Sequence, residues 1–159
     1  MALRNLTNWS DPRFRMKSRP VVNFDEGLWT LLEDMRDTLM KARGYGCAAV
    51  HVGVLRRVVV ILDDNGAGLS SRKEPAAGLI ELVNPVISKE SEETQEVMEG
   101  SIAPGAPRGT VVRPKNVTAL GFDRHGNPLT ITAGGFLAAT LCHEIDHLDG
   151  VVFTDKVIK

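Results

Sequence analysis

Residues His143, Glu144, Ile145, Asp146 and His147 set two imidazoles four positions apart, with a carboxylate beside the first. On a helix, side chains at i and i+4 share a face, so both imidazoles can reach one metal ion while Glu144 stands close enough to move a proton. This is the residue set of metal-assisted hydrolysis. Two imidazoles do not complete it, because a catalytic zinc or ferrous centre takes about three protein ligands and keeps one position open for water. A third donor has to come from elsewhere in the chain.

The segment around this pattern is suited to burying it. After Gly134 and Gly135, residues 136–149 contain no helix breaker. Leu137, Leu141, Ile145 and Leu148 form one stripe, and Phe136, Thr140, His143 and His147 form the opposite one. A helix of this kind is predicted to lie in the core with its polar face toward an internal site.

Upstream, Leu28, Leu31, Leu32, Met35, Leu39 and Met40 recur at helical spacing. With Asp25 as N-cap and Gly44 as the stop, they predict an amphipathic helix over 25–43 that covers a sheet. Residues 58–62 and 79–87 read as strands, the second interrupted by Pro85, and 94–98, 117–122 and 129–133 are further strand candidates. The turn at 123–127 makes the last two a hairpin, and 64–78 reads as a long loop that could help shape a pocket. Mainly antiparallel sheets packed around a central C-terminal helix, with an N-terminal covering helix, make the fold α+β.

At 159 residues, 43% of them hydrophobic, the chain suits one globular domain over 1–159. A net charge of −1 gives no field that would favour nucleic acid or an anionic membrane. Two cysteines, Cys47 and Cys142, do not make a disulfide framework, and both read as small buried hydrophobes. With no signal-like or membrane-spanning run, a cytoplasmic protein is the expectation. The basic stretch 13–19 is the one feature that would suit an organellar transit peptide.

Three segments together resemble the peptide deformylase family. That family carries Gly-x-Gly-Leu-Ala-Ala-x-Gln, then Glu-Gly-Cys-Leu-Ser, then His-Glu-x-x-His. This chain has Gly44, Gly46, Cys47, Ala48, Ala49 and His51 in the first motif, Glu99, Gly100, Ser101, Ile102 and Ala103 in the second, and His143, Glu144 and His147 in the third. Asp11-Pro12, Asn84-Pro85 and the ending through Phe153, Thr154 and Asp155 add to a likeness that covers about residues 11–156.

The resemblance implies that His143 and His147 bind one divalent ion, Fe2+ or Zn2+, with Glu144 as general base and acid. It also implies that the Ile102 N–H and the side chain at position 51 hold the oxyanion, and that Gly44, Gly46, Glu99 and Gly100 border the substrate. The substrate would be an N-formylmethionyl peptide or nascent chain, met in transient association with the ribosome and losing its formyl group. No membrane or sequence-specific nucleic-acid partner is implied.

Two departures stand out. The ligand cysteine of the second motif is Ser101, a neutral hydroxyl where the family has a thiolate. The glutamine of the first motif is His51, which can donate to an oxyanion or, as one position loses a ligand and its neighbour gains one, serve as third ligand itself.

The competing reading is a deformylase-like protein with lost or redirected activity, which binds peptide ends or acts on another acyl amide. An ordinary zincin peptidase shares only the third motif. Asp146 could orient a ligand or pair with Arg113 or Arg108, while Glu99 and Arg108 could simply fix their loop. His125, in a Gly-containing turn, reads as solvent-facing.

Overall fold

Asp25 accepts a hydrogen bond from the Leu28 N–H and so starts α1, Glu26–Ala42, whose Leu28, Leu31, Leu32, Met35 and Leu39 are buried on one face. The helix ends one residue earlier than Gly44 suggests. Arg43 takes the left-handed conformation at φ 56°, and Gly44 is needed for another reason: a Cβ there would run into the Ile102 side chain. The computed structural model describes residues 2–63 and 78–158, so the loop expected at 64–78 lies almost wholly outside the described residues.

Seven strands follow among the described residues. They are β1 Gly46–Ala48, β2 Val58–Leu62, β3 Leu79–Glu90, β4 Thr94–Glu99, β5 Gly109–Pro114, β6 Asn116–Phe122 and β7 Pro128–Gly134, and the chain then enters α2, Gly135–Leu148. Five of them form an antiparallel sheet in the order β1-β2-β3-β6-β7, and β4 pairs with β5 in a separate two-stranded sheet.

The unbroken apolar run of β2 follows from its position, since both its faces are covered. Val58 and Val60 face α1 with Leu28, Leu32 and Met35. Val59 and Ile61 face α2 with Leu141 and Leu148. α2 in turn touches β4 and β5 on its other side, so the helix lies between two sheets.

Two side chains lock the frame. Asn84 sits at φ 51° at an irregularity in the β3–β6 register, and its amide pairs with both the N–H and the C=O of Val21. Arg57 donates to the Leu148 carbonyl at 3.0 Å, satisfying a carbonyl at the end of α2 where a cation is favoured. Among the described residues, no helix is long and apolar enough to cross a membrane.

Candidate active site

α2 carries His143, Glu144 and His147 into the space between the sheets, where they are 6%, 4% and 0% exposed. The two Nε2 atoms of the histidines are 3.2 Å apart, as the four-residue spacing on one helix face requires.

The Nδ1–H of His143 donates to Glu99 Oε1 at 2.7 Å. A carboxylate only accepts, so this bond sets the tautomer and leaves the Nε2 lone pair facing His147. Glu99 is held by a fork: Arg113 donates to its two oxygens through Nε at 2.9 Å and Nη2 at 2.8 Å. The third nitrogen of the same guanidinium reaches Asp146 Oδ2 at 2.7 Å, so Asp146 pairs with Arg113. Burial opposes charge on Glu99, but the hydrogen bonds from Arg113 and His143 outweigh it and keep the carboxyl below its usual value. Both Glu99 oxygens are thereby engaged, and Glu99 acts on the site through His143.

Glu144 lies against Gly46. A Cβ at position 46 would meet Glu144 Cγ and Oε2 at 2.6 Å, so this strand residue has to be glycine for the carboxylate to fit. Burial pushes the Glu144 carboxyl up to about 7, against the pull of nearby His143.

His51 sits in a 3-10 turn, Ala49–Val52, just after β1. Its Nδ1 lies 3.0 Å from the Ala48 nitrogen and 3.2 Å from the Ala48 oxygen, and its Nε2 lies 3.2 Å from Ser101 Oγ. The Ser101 hydroxyl also accepts from the Ala103 N–H at 3.1 Å. Burial lowers His51 to about 3 and His147 well below its usual value, so both are neutral at physiological pH. For His143, Glu144 and Glu99 outweigh the effect of burial and hold the imidazole above its usual value.

The residues fit a divalent transition ion. One donor atom each from His51, Glu144 and His147 lies within 4.8 Å of the others, and His143 joins them through its Nε2 contact with His147. Glu144 Oε1 is buried without a hydrogen-bond partner, a costly state for a carboxylate oxygen that a bound cation nearby would help to offset. Imidazole and carboxylate donors suit such an ion.

Beside this cluster opens a cleft of about 540 Å³. Gly44, Gly46, Glu99, Gly100, Ser101 and Ile102 all border it, as do His143 and Glu144. Tyr45 and Phe136 also line it, their rings 4.7 Å apart edge to face. His51 and His147 both pack their rings against Phe14, and His143 stacks on Phe153 at 5.5 Å.

Sequence reasoning had not singled out Phe14, which is buried against both histidines. The available signal was a single aromatic within the polar and basic stretch 10–20. Cys47 and Cys142 are buried. Cys47 packs beneath α1, and burial pushes the Cys142 thiol up to about 11. His125 is exposed, its ring 5.5 Å from that of Trp29.

Fold and site together define a class: an antiparallel α+β hydrolase scaffold whose His-Glu-x-x-His helix is enclosed between two sheets. The sequence matches the polypeptide deformylase family over residues 3–159, and the chain belongs to that family. It is 43% identical to a peptide deformylase of Caldicellulosiruptor bescii, over 100% of this chain and 88% of that one. It is 42% identical to one of Alkaliphilus metalliredigens, over 100% and 99%. The crystal structure of a peptide deformylase from Legionella pneumophila superposes with a TM-score of 0.85 at 41% identity, covering 98% of this chain and 86% of that one. A peptide deformylase structure from Thermotoga maritima gives 0.87 at 27% identity, with 100% coverage of both chains. Peptide deformylases are metalloenzymes, and the cluster formed by α2 and the turn that carries His51 is where this chain offers donors.

Proposed function

We propose that this chain hydrolyses the formamide of N-formylmethionyl peptides, a C–N bond that is not a peptide bond, to formate and a free N-terminus. The observation that carries the reading is the convergence of His143, His147 and Glu144 in a buried cluster beside the cleft. His143 and His147 would hold a divalent ion, Fe2+ or Zn2+, with the third donor drawn from Ser101 or His51. When bound, such an ion polarises the formyl oxygen and acidifies water.

The rest falls to the chain's own residues. Gly44, Gly46 and Gly100 let backbone approach the peptide closely, and Tyr45 and Phe136 offer an apolar surface to the methionine side chain. The Ile102 N–H would serve as oxyanion donor, joined by the His51 side chain if that imidazole does not bind the ion. Glu144 takes a proton from water as the water oxygen bonds to the formyl carbon. It then gives the proton to the nitrogen as the C–N bond breaks. A carboxyl with a value of about 7 suits both halves of that exchange. Nascent chains carry the formyl group, so an encounter with the ribosome follows from the substrate.

Ser101 favours the second reading, a family member whose activity is lost or redirected to another acyl amide. Formate release from a formyl-methionyl tripeptide, measured after reconstitution with ferrous iron, cobalt or zinc, separates the two. Turnover that is abolished in Glu144→Ala supports the deformylase; no turnover with any ion supports the redirected protein.

A further inference from the structure

We propose that His51 supplies the third donor of the cation site through Nε2, with its Nδ1–H held by the Ala48 carbonyl, and that the Ser101 hydroxyl stays outside the donor set. The inference rests on the reading above for the presence of an ion, and it makes the site one of three imidazoles.

The backbone of His51 is fixed from outside. Thr7 donates its N–H to the His51 carbonyl at 2.8 Å and its hydroxyl to the Val50 carbonyl at 2.8 Å. His51 itself is 1% exposed, with Phe14 against one side of its ring and His147 against another, at centroid distances of 5.4 and 4.7 Å. The ring therefore has little freedom to turn away from His147.

Its two nitrogens face different partners. If Nδ1 accepts from the Ala48 N–H at 3.0 Å, the proton is on Nε2 and points at Ser101 Oγ. If Nδ1–H donates to the Ala48 oxygen at 3.2 Å, Nε2 presents a lone pair to the same place. A cation selects the second tautomer. Metal-bound histidines commonly donate their other N–H to a carbonyl or carboxylate, which sets the ring and raises its basicity. His143 has that arrangement with Glu99, and His51 takes it with the Ala48 carbonyl in its second tautomer.

Ser101 is poorly suited to compete. Its oxygen is a neutral hydroxyl that already accepts the Ala103 N–H at 3.1 Å, so it closes the loop's own turn. The His51 Nε2 atom lies 3.2 Å from that oxygen, close enough to serve the position a side chain at 101 would otherwise serve. Three imidazoles and no thiolate favour zinc, cobalt or nickel, without the charge-transfer absorption that a cysteine ligand gives.

The test uses the purified full chain, stripped with chelator and titrated with Co2+ and then Zn2+. X-ray absorption of the wild-type Zn2+ and Co2+ forms should count three imidazoles. His51→Gln should weaken binding by roughly a hundredfold or more and leave two imidazoles, while Ser101→Ala should bind within about threefold of wild type. His51→Gln combined with Ser101→Cys should recover binding and gain a near-ultraviolet thiolate-to-cobalt band.

A count of two imidazoles in the wild type overturns the proposal, and that count does not depend on any variant folding. So does a His51→Gln protein that binds as wild type, or a Ser101→Ala protein that loses affinity. Formate release scored on the same samples separates the two readings. A three-imidazole ion without turnover removes the deformylase and keeps His51; turnover with two imidazoles does the reverse.

Discussion

Glu99 Oε1 lies 2.7 Å from His143 Nδ1, across 44 residues of sequence, and a guanidinium from a neighbouring strand holds that carboxylate in place. The chain that runs from Arg113 through Glu99 to His143 is buried at every member. It decides which nitrogen of His143 is free to bind.

Breaking this chain at its His143 end should loosen the ion, and breaking it at its Arg113 end should loosen the fold. Glu99→Gln keeps the shape but loses the charge, and cation affinity should fall about 10- to 100-fold, as measured by Zn2+ competition with a chromophoric chelator. Arg113→Ala leaves Glu99 buried without its main partner and should cost about 3–5 kcal/mol in urea unfolding.

Gly46→Ala tests the space reserved for Glu144. The new methyl would meet the carboxylate at 2.6 Å, so Glu144 must shift by an ångström or so. We expect kcat for formate release to drop about a hundredfold, with a loss of about 1–3 kcal/mol in stability. An unchanged kcat would place the proton transfer on some other group.

Glu144→Gln separates proton transfer from cation binding. Turnover should fall by about 10²- to 10⁴-fold, while Zn2+ affinity stays close to wild type because the imidazoles are untouched. A matching loss of the ion would make Glu144 a ligand instead.

The N-terminal segment should be pinned in a pH-dependent way. Burial opposes charge on Asp34, but hydrogen bonds from Arg4 Nε and the Ala2 N–H, both 2.8 Å, outweigh it and hold the carboxyl below its usual value. A folded-state value below the unfolded one, about 3.9, gives stability that is full above that pH and is lost as pH falls through the folded value. Asp34→Asn should therefore cost about 1–2 kcal/mol at pH 7. The gap to wild type should narrow in urea titrations taken at acid pH, as the pH falls below the usual carboxylate range.

The β5 strand, Gly109–Pro114, shows why part of the molecule was hard to read. Its inward positions are Gly109, Val111 and Arg113, and a buried arginine breaks the apolar alternation that marks a half-buried strand. That arginine is at the inward position because it has Glu99 and Asp146 to meet, a fact that local pattern does not contain. The three-residue β1 was too short to register for a similar reason: pairing of Cys47 opposite Val60 holds it, not periodicity.

Local spacing alone determined the paired imidazoles on one face of α2, the apolar stripe of α1 and the run that became β2, because helix and strand periodicities are set by the backbone within a few residues. The order of three short motifs also sufficed to indicate the family. Only the folded chain decided which nitrogen of His143 faces inward, why position 46 must be glycine, and what surrounds His51. Each of these depends on groups more than 40 residues apart in sequence, brought into contact by packing between the two sheets, and no local pattern encodes such distances.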